Sequence, residues 1–251
     1  MISVCITTYN GGKYIKEQIE SILSQISEND EIIISDDGSK DNTLSILQSF
    51  NDKRIKIFLH EKDQRKKHIF KFDLTTKNME NAIKKSLGEF IFMADQDDIW
   101  EENRINSVLS FLDIYSLVIN DCKVIDENQN VIYESYFDLI NSKNGFLKNL
   151  NKNSYLGCCM AFKRDTLQYI LPFPKQPVPH DIWIGLISEI FGKVYFLREK
   201  KILYRRHNNN LSNSAEVSSN SLVFKIRYRA ILLNSIVLRI IKQYKRLLFI
   251  F

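Results

Sequence analysis

The eleven residues Phe90-Ile-Phe-Met-Ala-Asp-Gln-Asp-Asp-Ile-Trp100 constrain this chain most. Phe90 to Ala94 is an unbroken apolar run of strand length, so a buried strand is expected, with Asp95, Asp97 and Asp98 directly at its carboxyl end. Open α/β sheets bind ligands at that end of their strands. Three carboxylates in four positions repel one another, and a cation relieves the repulsion. Hard oxygen ligands suit Mg²⁺ or Mn²⁺, which in such sites bridges carboxylates to substrate phosphates. The other reading is an acidic loop capping a helix that starts near Glu101, because acids favour helix N-termini.

The preceding residues repeat the same unit. Ile2 to Thr8 is a β-prone run closed by the turn signal Tyr9-Asn10-Gly11-Gly12, and Ile15, Ile19, Ile22 and Leu23 follow at helical spacing. Glu31 to Ser35 reads as a strand ending in Asp36-Asp37-Gly38-Ser39. Asp41 or Asn42 can cap the next helix, which carries Leu44, Leu47 and Phe50. Ile55 to Leu59 is a third strand, Glu61 to Lys71 an exposed charged loop, and Asn78 to Leu87 a helix that Gly88 ends. Alternation of this kind specifies a mainly parallel α/β sheet flanked by helices. Thr7-Thr8-Tyr9, Asp36-Asp37 and Asp95 to Asp97 are thereby expected along one sheet edge.

Beyond a helix bearing Ile105, Val108, Leu109 and Leu112 the pattern changes. Leu117 to Asn120 is a strand, Cys122 to Tyr133 a hairpin, and Tyr155 to Lys163 another strand. All four prolines fall between Pro172 and Pro179, in a connection delivering His180-Asp181 to a helix over Ile182 to Phe191. Lys193 to Arg198 and Ile202 to Arg206 read as two further strands.

The formal charge of +5 is concentrated at one place: Leu222 to Phe251 carries seven Lys or Arg and no acid. In that segment Ile226, Ala230, Leu233, Val237, Ile241, Tyr244 and Leu248 form a helix stripe. A basic amphipathic helix suits a membrane interface of anionic lipid, or packs on its own domain or a partner. Its longest uncharged stretch, Ala230 to Leu238, is too short to span a bilayer. The first residues lack a basic region followed by an apolar one, so a cytoplasmic location is expected. Four cysteines without a C-x-x-C pair indicate neither a disulfide framework nor a zinc site.

Gly11-Gly12-Lys13 is followed by Tyr14, where a phosphate-binding P-loop needs Ser or Thr. No G-x-G-x-x-G follows the first strand, which argues against a dinucleotide fold. Asp36-Asp37 can accept from a nucleobase or ribose, or can be turn chemistry before Gly38.

In combination these segments are more specific. Ile2-Ser-Val-Cys-Ile-Thr-Thr-Tyr-Asn10, Ile34-Ser-Asp-Asp-Gly-Ser39, Asp95-Gln-Asp-Asp98 and His180-Asp-Ile-Trp183, in this order, resemble a family 2 glycosyltransferase of the GT-A fold. Gly157 to Phe162 and Tyr204-Arg-Arg-His207 make the rhamnosyltransferase-like branch the nearest likeness. The resemblance covers about residues 1–210. It implies a nucleotide-sugar-binding half over 1–98 and an acceptor-binding half over 99–210, with 211–251 a linker and basic helical tail.

The resemblance further implies an inverting transfer of sugar from a nucleotide-diphosphate donor, a UDP- or dTDP-sugar, to an acceptor hydroxyl. The setting it implies is bacterial-type surface glycan synthesis, lipopolysaccharide or capsule, on a glycan or lipid-linked glycan acceptor. Thr7 and Tyr9 then flank the nucleoside, and Asp37 accepts from the base. Asp95 and Asp97 are the D-x-D pair that holds Mn²⁺ or Mg²⁺, with Asp97 the direct ligand. Asp181 stands at the general base, and His207 adds a metal or diphosphate contact. Ile182 replaces the first Trp of the usual His-Asp-Trp-Trp pattern, a departure on the acceptor side.

Three other readings compete with this one, and the first, a nucleotidyltransferase on a similar α/β sheet, expects a Gly-rich, Arg-containing loop after the first strand that is absent here. A membrane-surface or nucleic-acid-binding protein accounts for the basic tail and not for the acidic strand ends, which repel phosphate, and no nucleic-acid partner is expected. A homologue that has lost activity and only binds nucleotide sugar or a membrane would keep the same motifs.

Overall fold

The computed structural model describes residues 1–60, 72–207, 210 and 221–248. The loop expected over 61–71 and the linker residues 211–220 lie outside them. The first half is built from β1 (Ile2–Thr8), α1 (Ile15–Leu23), β2 (Glu31–Asp36), α2 (Thr43–Ser49), β3 (Ile55–Leu59), α3 (Phe72–Lys85) and β4 (Phe90–Asp95). The second half begins with β5 (Ile99–Trp100), α4 (Arg104–Leu112), β6 (Leu117–Ile125), β7 (Val131–Tyr133), α5 (Tyr136–Ile140) and α6 (Phe146–Asn151). It continues through β8 (Met160–Lys163), α7 (Leu167–Ile170), α8 (His180–Phe191) and β9 (Val194–Arg205) to the long α9 (Leu222–Leu248).

The described strands form one sheet of order β3-β2-β1-β4-β8-β6-β9-β5, with β7 added on β6. β3, β2, β1 and β4 are parallel neighbours. β8 runs against both β4 and β6, so β6 and its parallel partner β9 point the same way as the first four. Strands flanked by helices on both faces read as continuous apolar runs, and Ile32-Ile33-Ile34 and Ile91 to Ala94 are buried accordingly. α3 packs on β1 and β2, α4 on β6, and α8 against α6 and α7.

The far edge of β1 and β2 is a structural lock. Buried Glu31 accepts from Ser3 Oγ (2.6 Å), Leu87 N (2.6 Å) and Lys56 Nζ (2.7 Å). Gly88 lies so close that an added Cβ would stand 2.5 Å from Ser3 N, so no larger residue fits there.

Several boundaries differ from the sequence expectation. The strand expected over Tyr155 to Lys163 is a 3₁₀ turn at Gly157–Cys159 followed by a strand of four residues. The two strands expected after α8 are one, β9, whose register against β6 shifts near Asp121 and absorbs the charged Arg198-Glu-Lys-Lys201 midsection as a bulge. α3 begins at Phe72, ahead of the expected Asn78.

The tail stripe is the exposed face of α9. Leu232, Ser235, Ile236 and Arg239 are buried on the domain, whereas Ile226, Leu233, Val237, Ile241 and Tyr244 face solvent. Tertiary packing thus chose the face opposite the longer apolar stripe. Among the described residues no helix is long and apolar enough to cross a membrane.

Candidate active site

Register brings the expected residues to one edge. Thr7 pairs with both Ser35 of β2 and Asp95 of β4, and Thr8 pairs with Asp36. Each strand therefore stops at the same level and hands its last side chains to the same rim. Arg205 ends β9, which runs parallel to these strands, and the chain continues to His207 on that rim.

The two acids after β2 have separate tasks. Asp36 is fully buried and accepts from Thr8 Oγ1 (2.8 Å), Ser39 Oγ (2.6 Å) and the backbone N–H groups of Gly38 and Ser39 (2.9 and 2.8 Å). It is turn chemistry, and Gly38 supplies the left-handed φ of +82° that the turn requires. Asp37 contacts His60 Nδ1 at 2.9 Å, at the end of β3. His60 was not singled out by the sequence, because nothing before the fold places the end of β3 next to the end of β2.

Tyr9 is exposed, and its backbone is held from both sides by Gln96. Tyr9 N donates to Gln96 Oε1 (2.9 Å) and Gln96 Nε2 donates to Tyr9 O (3.2 Å). The middle residue of Asp95-Gln96-Asp97 is thus a tie between the β1 loop and the acidic loop. α1 contributes a second tie: Gln18, buried among the isoleucines of that helix, donates to Asp95 O at 2.7 Å.

The three acids differ in environment. Burial, with the charges of Asp97 and Asp181, pushes Asp95 up to about 7. Asp98 is buried completely, and burial followed by the charges of Asp97 and Asp95 raises it well above the carboxylate range. Its Oδ1 accepts from Arg205 N (3.0 Å) and its Oδ2 is buried without a hydrogen-bond partner, while the Cys158 thiol, kept protonated by burial, lies near the carboxyl. Arg104, buried beneath, stacks 4.0 Å from the centre of the Trp100 ring and donates to Cys158 O at 2.7 Å, which fixes that turn under the acids.

Asp97 is the acid that faces the rim. His207 Nε2 lies 2.8 Å and Asn210 Nδ2 3.1 Å from its Oδ2. Arg205 clasps the same loop, with Nε on Asp97 O (2.9 Å) and Nη2 on Glu17 Oε2 (2.6 Å). Its guanidinium lies 4.8 Å from the centre of the Tyr14 ring, and Tyr14 stacks on His207 at 5.0 Å. Arg205, Tyr14 and Glu17 thus border the candidate site, where the sequence singles out only His207 of the segment Tyr204-Arg-Arg-His207.

These donors fit a divalent cation. Asp95, Asp98 and Cys158 bring ligand atoms within 4.8 Å of one another, and Asp97 with His207 forms a second group beside them. A protonated thiol is a poor partner for a hard ion, whereas carboxylate oxygen and imidazole nitrogen suit Mn²⁺ or Mg²⁺. Burial first, and then the neighbouring charges of Asp97 and Asp181, disfavour ionised Asp95, and a cation would offset both.

Asp181 reaches this region from another segment. α8 begins after Pro179 with no side-chain cap, and Asp181 accepts from its neighbour Ile182 N (2.7 Å) and from Asn153 Nδ2 (3.1 Å). Its charge adds, after burial and Asp97, to what raises Asp95. His180 is held neutral by burial, with Nδ1 unpartnered, and Glu189 is spent on Tyr155 OH (2.5 Å) and Gly145 N (2.9 Å).

Known proteins resemble this chain in sequence and in fold. The family model "Glycosyl transferase family 2" matches residues 3–171. The UDP-Glc:alpha-D-GlcNAc-diphosphoundecaprenol beta-1,3-glucosyltransferase WfgD of Escherichia coli is 26% identical over 75% of this chain and 70% of its own. The crystal structure of S. aureus TarS 1-349 with UDP-GlcNAc superposes with a TM-score of 0.67 at 21% identity, covering 92% of this chain and 66% of that one. The mannosyltransferase PcManGT from Pyrobaculum calidifontis, in complex with GDP-Man and Mn²⁺, gives a TM-score of 0.56 at 17% identity, over 84% and 58% of the two chains. Across its curated relatives the chain spans from 19% to 82% of their own length.

Proposed function

The chain belongs to glycosyl transferase family 2 and has the GT-A fold, and on that footing we propose that it moves a sugar from a UDP- or dTDP-linked donor to a glycan or lipid-linked glycan hydroxyl. The transfer inverts the anomeric carbon, depends on Mn²⁺ or Mg²⁺, and serves surface glycan assembly of the lipopolysaccharide or capsule kind. A lipid-linked acceptor puts the reaction at the cytoplasmic face of the cell membrane, where the chain works as a peripheral protein.

The observation that carries this reading is the separation of the acids. Asp95 and Asp97 sit together at the end of β4, with His207 against Asp97, while Asp181 comes from a separate segment at the start of α8. Inverting transfer needs that division, because the leaving phosphate and the attacking hydroxyl lie on opposite sides of the sugar carbon.

Each residue then has a physical task. Thr7 and Tyr9 border the nucleoside, and Asp37, oriented by His60, accepts from the base. Asp97, Asp95 and His207 would hold the metal, which supplies Lewis-acid stabilisation of the charge growing on the departing diphosphate. Gln96 and Arg205 fix the loop that carries these acids, so little reorganisation accompanies donor binding. Asp181, steadied by Asn153 and the Ile182 N–H, takes the proton of the acceptor hydroxyl. The oxocarbenium-like transition state asks only modest activation of that oxygen, which one carboxylate provides.

A screen of nucleotide sugars for metal-dependent thermal stabilisation and for nucleoside diphosphate release tests the proposal. Stabilisation by one nucleotide class with Mn²⁺ supports it, and indifference to every nucleotide removes it.

A further inference from the structure

α9 is apolar on two opposite faces. One, through Leu232 and Ile236, is buried on the domain. The other carries Val223, Ile226, Leu233, Val237, Ile241 and Tyr244, which are between 38% and 76% exposed and recur at helical spacing along the element. A surface helix normally turns polar residues to water, and a contiguous exposed apolar stripe marks a contact surface. At 1.5 Å per residue the helix is about 40 Å long, so the stripe is extended and narrow.

Six of the seven bases of α9 divide into two sets. Arg229 and Arg239 are used inward, on the carbonyls of Leu150 (3.2 Å) and Asn151, and of Tyr169, Leu171 (2.9 Å) and Pro172. Arg227, Lys242, Lys245 and Arg246 are exposed and, among the described residues, have no ion-pair partner. No acid occurs between Leu222 and Phe251.

Charge decides which occupant fits. A second copy seated on the same stripe would set one all-basic helix against another. A nucleic acid would meet the bases and leave the apolar residues in water. A bilayer containing anionic phospholipid satisfies both, with the stripe entering the acyl boundary and the lysines and arginines at the depth of the phosphates.

We propose that the solvent face of α9 is a docking surface for an anionic phospholipid bilayer, on which the helix lies parallel to the membrane plane. This rests on, and gives a surface to, the membrane location argued above. The inward face adds a consequence. Arg239 lies 5.2 Å from the centre of the Trp183 ring on α8, so the helix that carries Asp181 is fixed relative to the docked face. The acceptor side of the cleft is thereby held at a set distance from the lipid surface, where a lipid-linked acceptor presents its sugar.

The test is flotation of the full chain with vesicles of phosphatidylcholine alone or mixed with phosphatidylglycerol. The parent should float with the mixed vesicles, float weakly with phosphatidylcholine, and detach as salt is raised. Leu233→Asp with Val237→Asp should lower binding at least tenfold with an unchanged melting temperature. Lys242→Gln and Lys245→Gln should each lower it about fivefold. A parent that ignores the mixed vesicles overturns the inference, and so does a double Asp variant that binds like the parent. If instead the parent is a dimer that the double Asp variant dissociates while vesicle binding persists, the occupant is a second copy. Flotation involves no sugar transfer, so its failure and the failure of the transferase reading are separate results.

Discussion

Asp97 and His207, 110 residues apart in the chain, meet with Oδ2 and Nε2 2.8 Å apart because β4 and β9 end on the same edge of the sheet. The contact couples the acidic loop to the last turn of the domain. Arg205 reinforces it from both ends, its backbone N–H on Asp98 and its side chain on Asp97 O and Glu17.

If the pair holds the donor's metal, Asp97→Asn should remove the Mn²⁺-dependent part of nucleoside diphosphate binding. His207→Gln should weaken that binding by roughly 10- to 100-fold. Calorimetry with and without Mn²⁺ reads both. Equal metal dependence in parent and Asp97→Asn would take the metal away from this loop.

Asp181→Asn keeps the shape of the side chain and the Ile182 and Asn153 neighbours. Turnover should fall about 100-fold or more while donor affinity stays at the parental value, because the base acts on the acceptor and not on the nucleotide. Steady-state kinetics with the true acceptor, set beside donor titration, separates the two quantities. Near-parental turnover would move the base elsewhere.

Asp95 makes a pH prediction for the metal-free protein. The folded carboxyl keeps its proton up to about 7, whereas the unfolded one releases it near 3.8. Between these values the folded state binds more protons, so this residue makes the protein more stable as pH falls from about 7 toward 4. Asp95→Asn should therefore be more stable than the parent at pH 8, by as much as about 4 kcal/mol, and the advantage should shrink toward pH 4. Denaturant melts at the two pH values measure it, and an equal difference at both contradicts the assignment.

Arg239 anchors α9 by donating to the carbonyls of Tyr169, Leu171 and Pro172, where the proline-rich connection begins. Arg239→Ala removes these part-buried charge-assisted hydrogen bonds together with the packing of a buried side chain, and should cost about 2–3 kcal/mol of unfolding free energy. Removal of residues 222–251 should also destabilise the remaining domain, since Leu232 and Ile236 are core residues. Urea unfolding of both proteins provides the comparison.

The first 100 residues were legible because each strand there is an apolar run that stops at a polar turn. β1, β2, β3 and β4 lie where periodicity puts them, and the acids at their ends gather as expected. The second half carries weaker local signals. Gly157-Cys-Cys159 is apolar enough to pass for strand, yet it turns, with Arg104 reaching Cys158 O from below. The charged middle of β9 hid a single strand that tolerates a bulge at the shift of register. Pairing between distant segments has no local signal, so His60 beside Asp37, Arg205 on Glu17 and Asn153 on Asp181 emerge only from the fold. The packing face of α9, through Leu232 and Ile236, is a short apolar patch beside the longer and more regular exposed stripe, so spacing alone does not reveal it.

The most direct test of sugar transfer at this edge is nucleoside diphosphate release from a panel of UDP-, dTDP- and GDP-sugars. The full chain, Asp97→Asn and Asp181→Asn are assayed with Mn²⁺ and with a chelator. The account predicts that a UDP- or dTDP-sugar is consumed by the parent only when metal is present, and that both variants lose this turnover. Consumption that survives the chelator and the Asp97→Asn change, or no consumption of any donor, would contradict it.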